Sequence, residues 1–134
     1  MSVSPRRLVS VLLASALASL AGPRLAWSHA QLVRSDPADQ ARLKEAPAHV
    51  DLWFDERLDE GFHSVRVIAI RGQAKQASAQ LVKGPPRVDY ADPSHLVTDL
   101  APLPPGHYAV EWRVLSRDGH TAAGRLSFEI QATP

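Results

Sequence analysis

In His107-Tyr108-Ala109-Val110-Glu111-Trp112-Arg113-Val114, the large apolar residues Tyr108, Val110, Trp112 and Val114 alternate with His107, Glu111 and Arg113. A period of two puts one set on one face of an extended chain, so the segment predicts a half-buried strand. The alternation recurs on both sides of it. Val50, Leu52 and Phe54 alternate with Asp51, Trp53 and Asp55, Val65, Val67 and Ala69 with Arg66 and Ile68, and Leu126, Phe128 and Ile130 with Ser127 and Glu129. Gln31 to Ser35 and His95 to Leu100 carry weaker versions. Between the runs lie breakers: Asp36-Pro37, Ala46-Pro47, Gly72, Gly84-Pro85-Pro86, Asp92-Pro93 and Pro104-Pro105-Gly106. Helical periodicity is confined to one candidate turn over residues 38–44. Residues 73–92 are polar and weakly patterned, which predicts a loop or ragged edge strands. The expected fold is all-β: a small antiparallel sandwich or barrel of Greek-key type.

Upstream of these strands the chain has a different character. Arg6 and Arg7 precede the apolar stretch Leu8 to Ala21, and Ala26-Trp27-Ser28 places small residues at the third and first positions before a cut. That is the pattern of a secretory signal. It predicts a signal over residues 1–28, one exported domain over residues 29–134, and His29 as the first residue of the mature chain. The signal holds three of the 15 basic residues and none of the 14 acidic ones, which leaves 12 basic and 14 acidic residues, a net of −2. The basicity of the full chain is therefore a targeting feature. No basic stripe interleaved with aromatics suggests nucleic acid. No other apolar run approaches the ~20 residues needed to span a bilayer.

The chain has no cysteine, and its single methionine is Met1. This excludes a thiolate metal site, a cysteine nucleophile and disulfide chemistry. A mature domain without sulfur offers little to Cu(I), the soft ion. His29 offers something else. Its exposed α-amine and imidazole are two nitrogen donors on one residue, and such donors suit Cu(II). Asp118 and His120 supply a second cluster beside Gly119, which lets the chain turn sharply. Two apart on extended backbone, their side chains point to one side. Taken alone, the stretch reads first as an Asp-Gly hairpin turn with Asp118 accepting a backbone hydrogen bond. Should the two clusters meet at one end of the sandwich, they provide nitrogen and carboxylate donors for Cu(II).

Several motifs in order resemble the CopC-type periplasmic copper-binding proteins. They are His29-Ala30-Gln31-Leu32, Ser35-Asp36-Pro37-Ala38-Asp39, Ala46-Pro47, Leu52-Trp53-Phe54-Asp55-Glu56 and Leu103-Pro104-Pro105-Gly106-His107-Tyr108. The most specific is Trp112-Arg113-Val114-Leu115-Ser116-Arg117-Asp118-Gly119-His120. The resemblance implies an immunoglobulin-like Greek-key barrel with one Cu(II) site, and His29, Asp118 and His120 as ligands. The acid of the Phe-x-Glu motif falls on Glu56, which in some members lies beside the copper. The resemblance further implies a periplasmic carrier or buffer serving copper resistance or supply. Its partner would be an inner-membrane copper protein of the CopD type or a copper enzyme to be loaded. The methionine-rich Cu(I) site of some members has no counterpart here.

Other residues read more plainly. Glu56 serves equally well as a partner for Arg57. His63 is expected in a surface role, and His49, His95 and His107 are expected to be solvated. Trp53 and Trp112 are expected in the core or at the barrel end, and Arg113 and Arg117 either orient Asp118 or form ordinary salt bridges. Two other functions stay open. One is a histidine-brace copper oxygenase, against which stands Asp118 in a position that oxygen needs. The other is an immunoglobulin-like interaction module with incidental histidines. No Ser/His/Asp order or paired-acid motif suggests an enzyme.

Overall fold

The computed structural model describes residues 29–72 and 81–134. The expected signal, with its cut after Ser28, and residues 73–80 of the polar stretch lie outside the described residues. Among the described residues eight strands form: β1 (Leu32–Asp36), β2 (Ala41–Leu43), β3 (His49–Phe54), β4 (Ser64–Gly72), β5 (Arg87–Val88), β6 (His95–Asp99), β7 (Gly106–Leu115) and β8 (Thr121–Ile130). Among the described residues no helix is long and apolar enough to cross a membrane.

The strands make two four-stranded sheets, ordered β1-β3-β6-β5 and β2-β8-β7-β4. The chain passes repeatedly from one sheet to the other, as a Greek-key sandwich requires. The all-β reading is thus borne out, and the strands read from alternation are all present. One pairing departs from the antiparallel pattern, because β2 lies parallel to β8. Residues 41–43 are therefore a strand where a helical turn was expected. Gln40 N–H donates to the Ser127 carbonyl at 2.6 Å and Gln131 N–H to the Leu43 carbonyl at 2.8 Å, which stitches the short strand in place. The described part of the weakly patterned stretch is a ragged edge, with a Val82–Leu100 bridge followed by β5.

The inward faces form one core from both sheets, including Val50, Leu52, Phe54, Leu96, Tyr108, Val110, Trp112, Val114, Leu126 and Phe128. Each fully buried side chain of this size contributes about 1.5–3 kcal/mol. The Tyr108 ring is wholly buried and stacks on Phe128, and its hydroxyl donates to the Pro104 carbonyl at 2.5 Å. Trp112 lies over its cross-strand partner Gly124, where a Cβ would come within 2.3 Å of the indole. Only glycine leaves room for that ring.

The registers gather several strand ends at one end of the sandwich. Leu32 faces Phe54, Trp53 faces His95, Ser64 faces Arg113, and Leu115 faces Thr121. The loop from β3 to β4 is laced to the β7–β8 turn by a Leu58–Ser116 bridge. Asp59 N–H donates to the Leu115 carbonyl and Arg117 N–H to the Arg57 carbonyl, each at 2.9 Å.

Candidate metal centre

The β7–β8 turn spans residues 116–120 beyond the last pair, Leu115 with Thr121. Gly119 has φ +93°, in the left-handed region that glycine occupies at little cost. Ser116 is buried and its N–H donates to the His120 carbonyl at 2.8 Å. The Ser116 hydroxyl donates to Asp118 Oδ1, and His120 N–H donates to the same oxygen at 3.1 Å. His120 Nδ1 lies 3.1 Å from that oxygen as well. These groups hold the Asp118 carboxyl down at about 2, with the Ser116 hydroxyl the largest cause and the His120 backbone N–H the next. In the tautomer that carries its hydrogen on Nδ1, His120 faces this carboxylate with that hydrogen and has its lone pair on Nε2, the atom a metal takes in carboxylate–histidine arrangements. The hairpin-turn reading of the stretch holds. Asp118 closes a turn as a hairpin residue would, and in doing so orients His120. The two side chains meet through turn chemistry and not, as expected, along extended backbone.

The N-terminal end of the described chain reaches the same place. Ala30 is buried in the core, and Gln31 is joined to Asp55 by two hydrogen bonds. His29 therefore emerges beside the turn, with its ring edge-to-face on His120 at a centroid separation of 5.7 Å and 75° between planes. The two imidazoles and the Asp118 carboxylate are a nitrogen and oxygen donor set without sulfur, which suits Cu(II). They meet as pairs, His29 with His120 and His120 with Asp118. Among the described residues no group of three or more histidine and acidic side chains is drawn together as a finished coordination sphere.

The other candidates separate clearly. Glu56 follows Asp55 at the same end, is half-buried, and forms no ion pair with Arg57 among the described residues. His63 is not a loose surface residue. Its Nδ1 accepts Leu115 N–H at 3.2 Å, so Nε2 carries the hydrogen and donates to the Asp59 carbonyl at 2.7 Å. Both nitrogens are used to clip the β3–β4 loop onto β7. The expectation of solvated histidines fails most clearly at His95, whose side chain is 13% exposed. It stacks on Trp53 at 4.3 Å, with Nε2 2.7 Å from Asp51 and Nδ1 3.2 Å from Asp89. His49 lies 2.8 Å from Asp99, and His107 3.9 Å from Glu129. Trp112 is in the core as expected, whereas Trp53 faces outward between His95 and the Arg34 guanidinium. Neither Arg113 nor Arg117 pairs with Asp118 among the described residues.

Sequence reasoning missed Ser116 and Asp55. The Ser116-x-Asp118 spacing is a signal for the first, since short polar side chains two apart bond each other in turns. Asp55 looks like any polar position in an alternating strand.

A model of the CopC domain matches residues 32–131. Copper transport protein CutJ of Bacillus subtilis is 33% identical over 110 residues, 81% of this chain but only 19% of that protein's length. Protein YobA of Escherichia coli K12 is 30% identical over 129 residues, 96% of this chain and 98% of YobA. Copper resistance protein C of Pseudomonas syringae pv. tomato is 30% identical over 107 residues, 80% of this chain and 84% of the relative. Among solved structures, CopC of Methylosinus trichosporium OB3b superposes with a TM-score of 0.66 at 26% identity, covering 77% of this chain and 94% of that one. PcoC of Escherichia coli, described as a methionine-rich copper resistance protein, gives 0.64 at 28% identity, covering 78% and 100%.

Proposed function

Because this chain belongs to the CopC family, we propose that it is a copper-binding protein acting as a carrier or buffer for Cu(II) in copper resistance or homeostasis. Relatives named for copper resistance and copper transport support the copper role. The observation that carries the site is the approach of the His29 ring to His120, whose Nδ1 lies 3.1 Å from Asp118. The ion is held by the His29 amine and ring, the His120 ring and the Asp118 carboxylate, with Glu56 as a neighbouring acid.

The choice of Cu(II) over Cu(I) follows from chemistry. PcoC is described as methionine-rich, whereas this chain has one methionine, at position 1, and no cysteine. Nitrogen and carboxylate donors favour the harder ion. Residues 1–28 act as the export signal, and the domain over 29–134 works in the periplasm. It exchanges copper with an inner-membrane protein of the CopD type or with a copper enzyme. We read it as a binding protein and not an enzyme. Turnover of ascorbate or peroxide by the copper-loaded protein would favour the oxygenase reading.

The test is intact mass of the exported protein, followed by Cu(II) titration of that form and of a form extended by one residue before His29. A mature mass starting at His29 and weak binding by the extended form support the proposal. An uncut chain, a start beyond His29, or equal affinity of the two forms contradicts it.

A further inference from the structure

In the mature form proposed above, which begins at His29, the His29 donors lie at a chain end, and chain ends fray unless they are tied down. Two features tie this one. Ala30 is buried in the core. Gln31 N–H donates to Asp55 Oδ1 at 2.7 Å, and Asp55 N–H donates back to the Gln31 carbonyl at 2.9 Å. This reciprocal pair extends the β1–β3 ladder past its last register position, Leu32 with Phe54. It fixes the backbone two residues from His29. On the other side of the site, the Ser116 hydroxyl performs the matching task for Asp118.

We propose that Asp55 is a positioning residue for copper. Its carboxylate does not touch the ion, but it holds the start of the chain so that the His29 donors face His120. The inference rests on the site proposed above. It assigns to the Asp55 side chain a role in pre-organising the chelate: the ordering of the N-terminal segment is done before the ion arrives, so less of the binding energy is lost to it. The physical requirement at position 55 is an oxygen that accepts one N–H. A negative charge is not needed, which separates this role from that of a ligand.

The experiment measures amide exchange at Gln31 in the copper-free protein, and Cu(II) affinity with the electron paramagnetic resonance spectrum in wild type, D55A and D55N. The Gln31 amide exchanges slowly in wild type. D55A loses that protection, binds Cu(II) about ten- to a hundredfold more weakly, and loses the nitrogen coupling of the His29 donors. D55N, which keeps the accepting oxygen, restores the protection, the affinity and the spectrum. Fast exchange at Gln31 in wild type overturns the proposal even if D55A fails to fold. So does wild-type affinity in D55A, or a D55N as weak as D55A, which would make Asp55 a ligand or a charge contributor. Failure of the underlying site shows instead in the wild-type protein, as a spectrum unchanged by a one-residue extension before His29.

Discussion

The His29 and His120 rings stand edge-to-face 5.7 Å apart, although one precedes the first strand and the other lies in the turn between the last two. Two independent devices bring them together. A buried alanine and the Gln31–Asp55 pair set the first ring, and a turn built on Ser116, Asp118 and Gly119 sets the second. At the proposed copper site these two devices set the approach of His29 to His120 and of His120 to Asp118.

Asp118 and His120 should contribute unequally. Asp118→Asn keeps an oxygen that accepts from Ser116 and from His120 N–H but loses the charge, and should weaken Cu(II) binding about ten- to a hundredfold. His120→Ala removes a nitrogen donor and should cost more. Competition titration of both variants checks the order. An Asp118→Asn weaker than His120→Ala would reverse the roles assigned here.

His95 should matter for the fold and not for copper. Its ring is enclosed by Trp53, Asp51 and Asp89 on the outer sheet face, at the start of β6. His95→Ala removes the stack and leaves Asp51 without its partner, at a cost of about 1–3 kcal/mol. Urea unfolding should show the loss, while Cu(II) affinity stays at the wild-type value.

That position also marks the limit of what was legible in the chain. Alternation around Val50, Val65, Val110 and Leu126 is a local signal, and it identified the strands and their inward faces. The His29 and Asp118-Gly119-His120 clusters were legible because each is compact in sequence. His95 depends on register: it meets Trp53 only because β3 and β6 pair as they do, and no local pattern encodes that. The parallel strand Ala41–Leu43 is hidden for the same reason, since three residues held by β8 carry too little periodicity of their own. Asp55 acts through a backbone partner 24 positions away, which leaves no mark on spacing.

Thr98 offers a test of the core. Its side chain is buried, and its Oγ1 has no hydrogen-bond partner among the described residues. Thr98→Val replaces the hydroxyl with a methyl of similar size and removes an unsatisfied polar atom, so it should raise stability by about 1 kcal/mol. Gly124→Ala should do the reverse, because its Cβ meets the Trp112 indole, and lose about 1–3 kcal/mol. Denaturant midpoints of the two variants should move in opposite directions.

Acid should destabilise the copper-free fold over a defined range. Ser116 holds Asp118 at about 2, Arg87 lowers Asp99, Ser94 lowers Asp92, the Ala91 N–H lowers Asp89, and Arg42 lowers Glu129. Each folded value lies below the ordinary 3.8 or 4.5. The unfolded chain therefore takes up protons first as the pH falls, and stability drops. These groups contribute fully above about pH 5 and lose their contribution as the pH falls through their lowered folded values, for Asp118 down to about 2. Asp118→Asn should flatten part of this limb. Tryptophan fluorescence of the copper-free protein across a pH series, in wild type and Asp118→Asn, reads this limb.

The most direct test of the central claim is the electron paramagnetic resonance spectrum and Cu(II) affinity of the protein that begins at His29, compared with its His120→Ala variant. The expected spectrum shows nitrogen coupling from the His29 amine and both imidazoles, and the variant loses one nitrogen donor together with a large part of its affinity. A His120→Ala protein with wild-type affinity and an unchanged nitrogen pattern would contradict it.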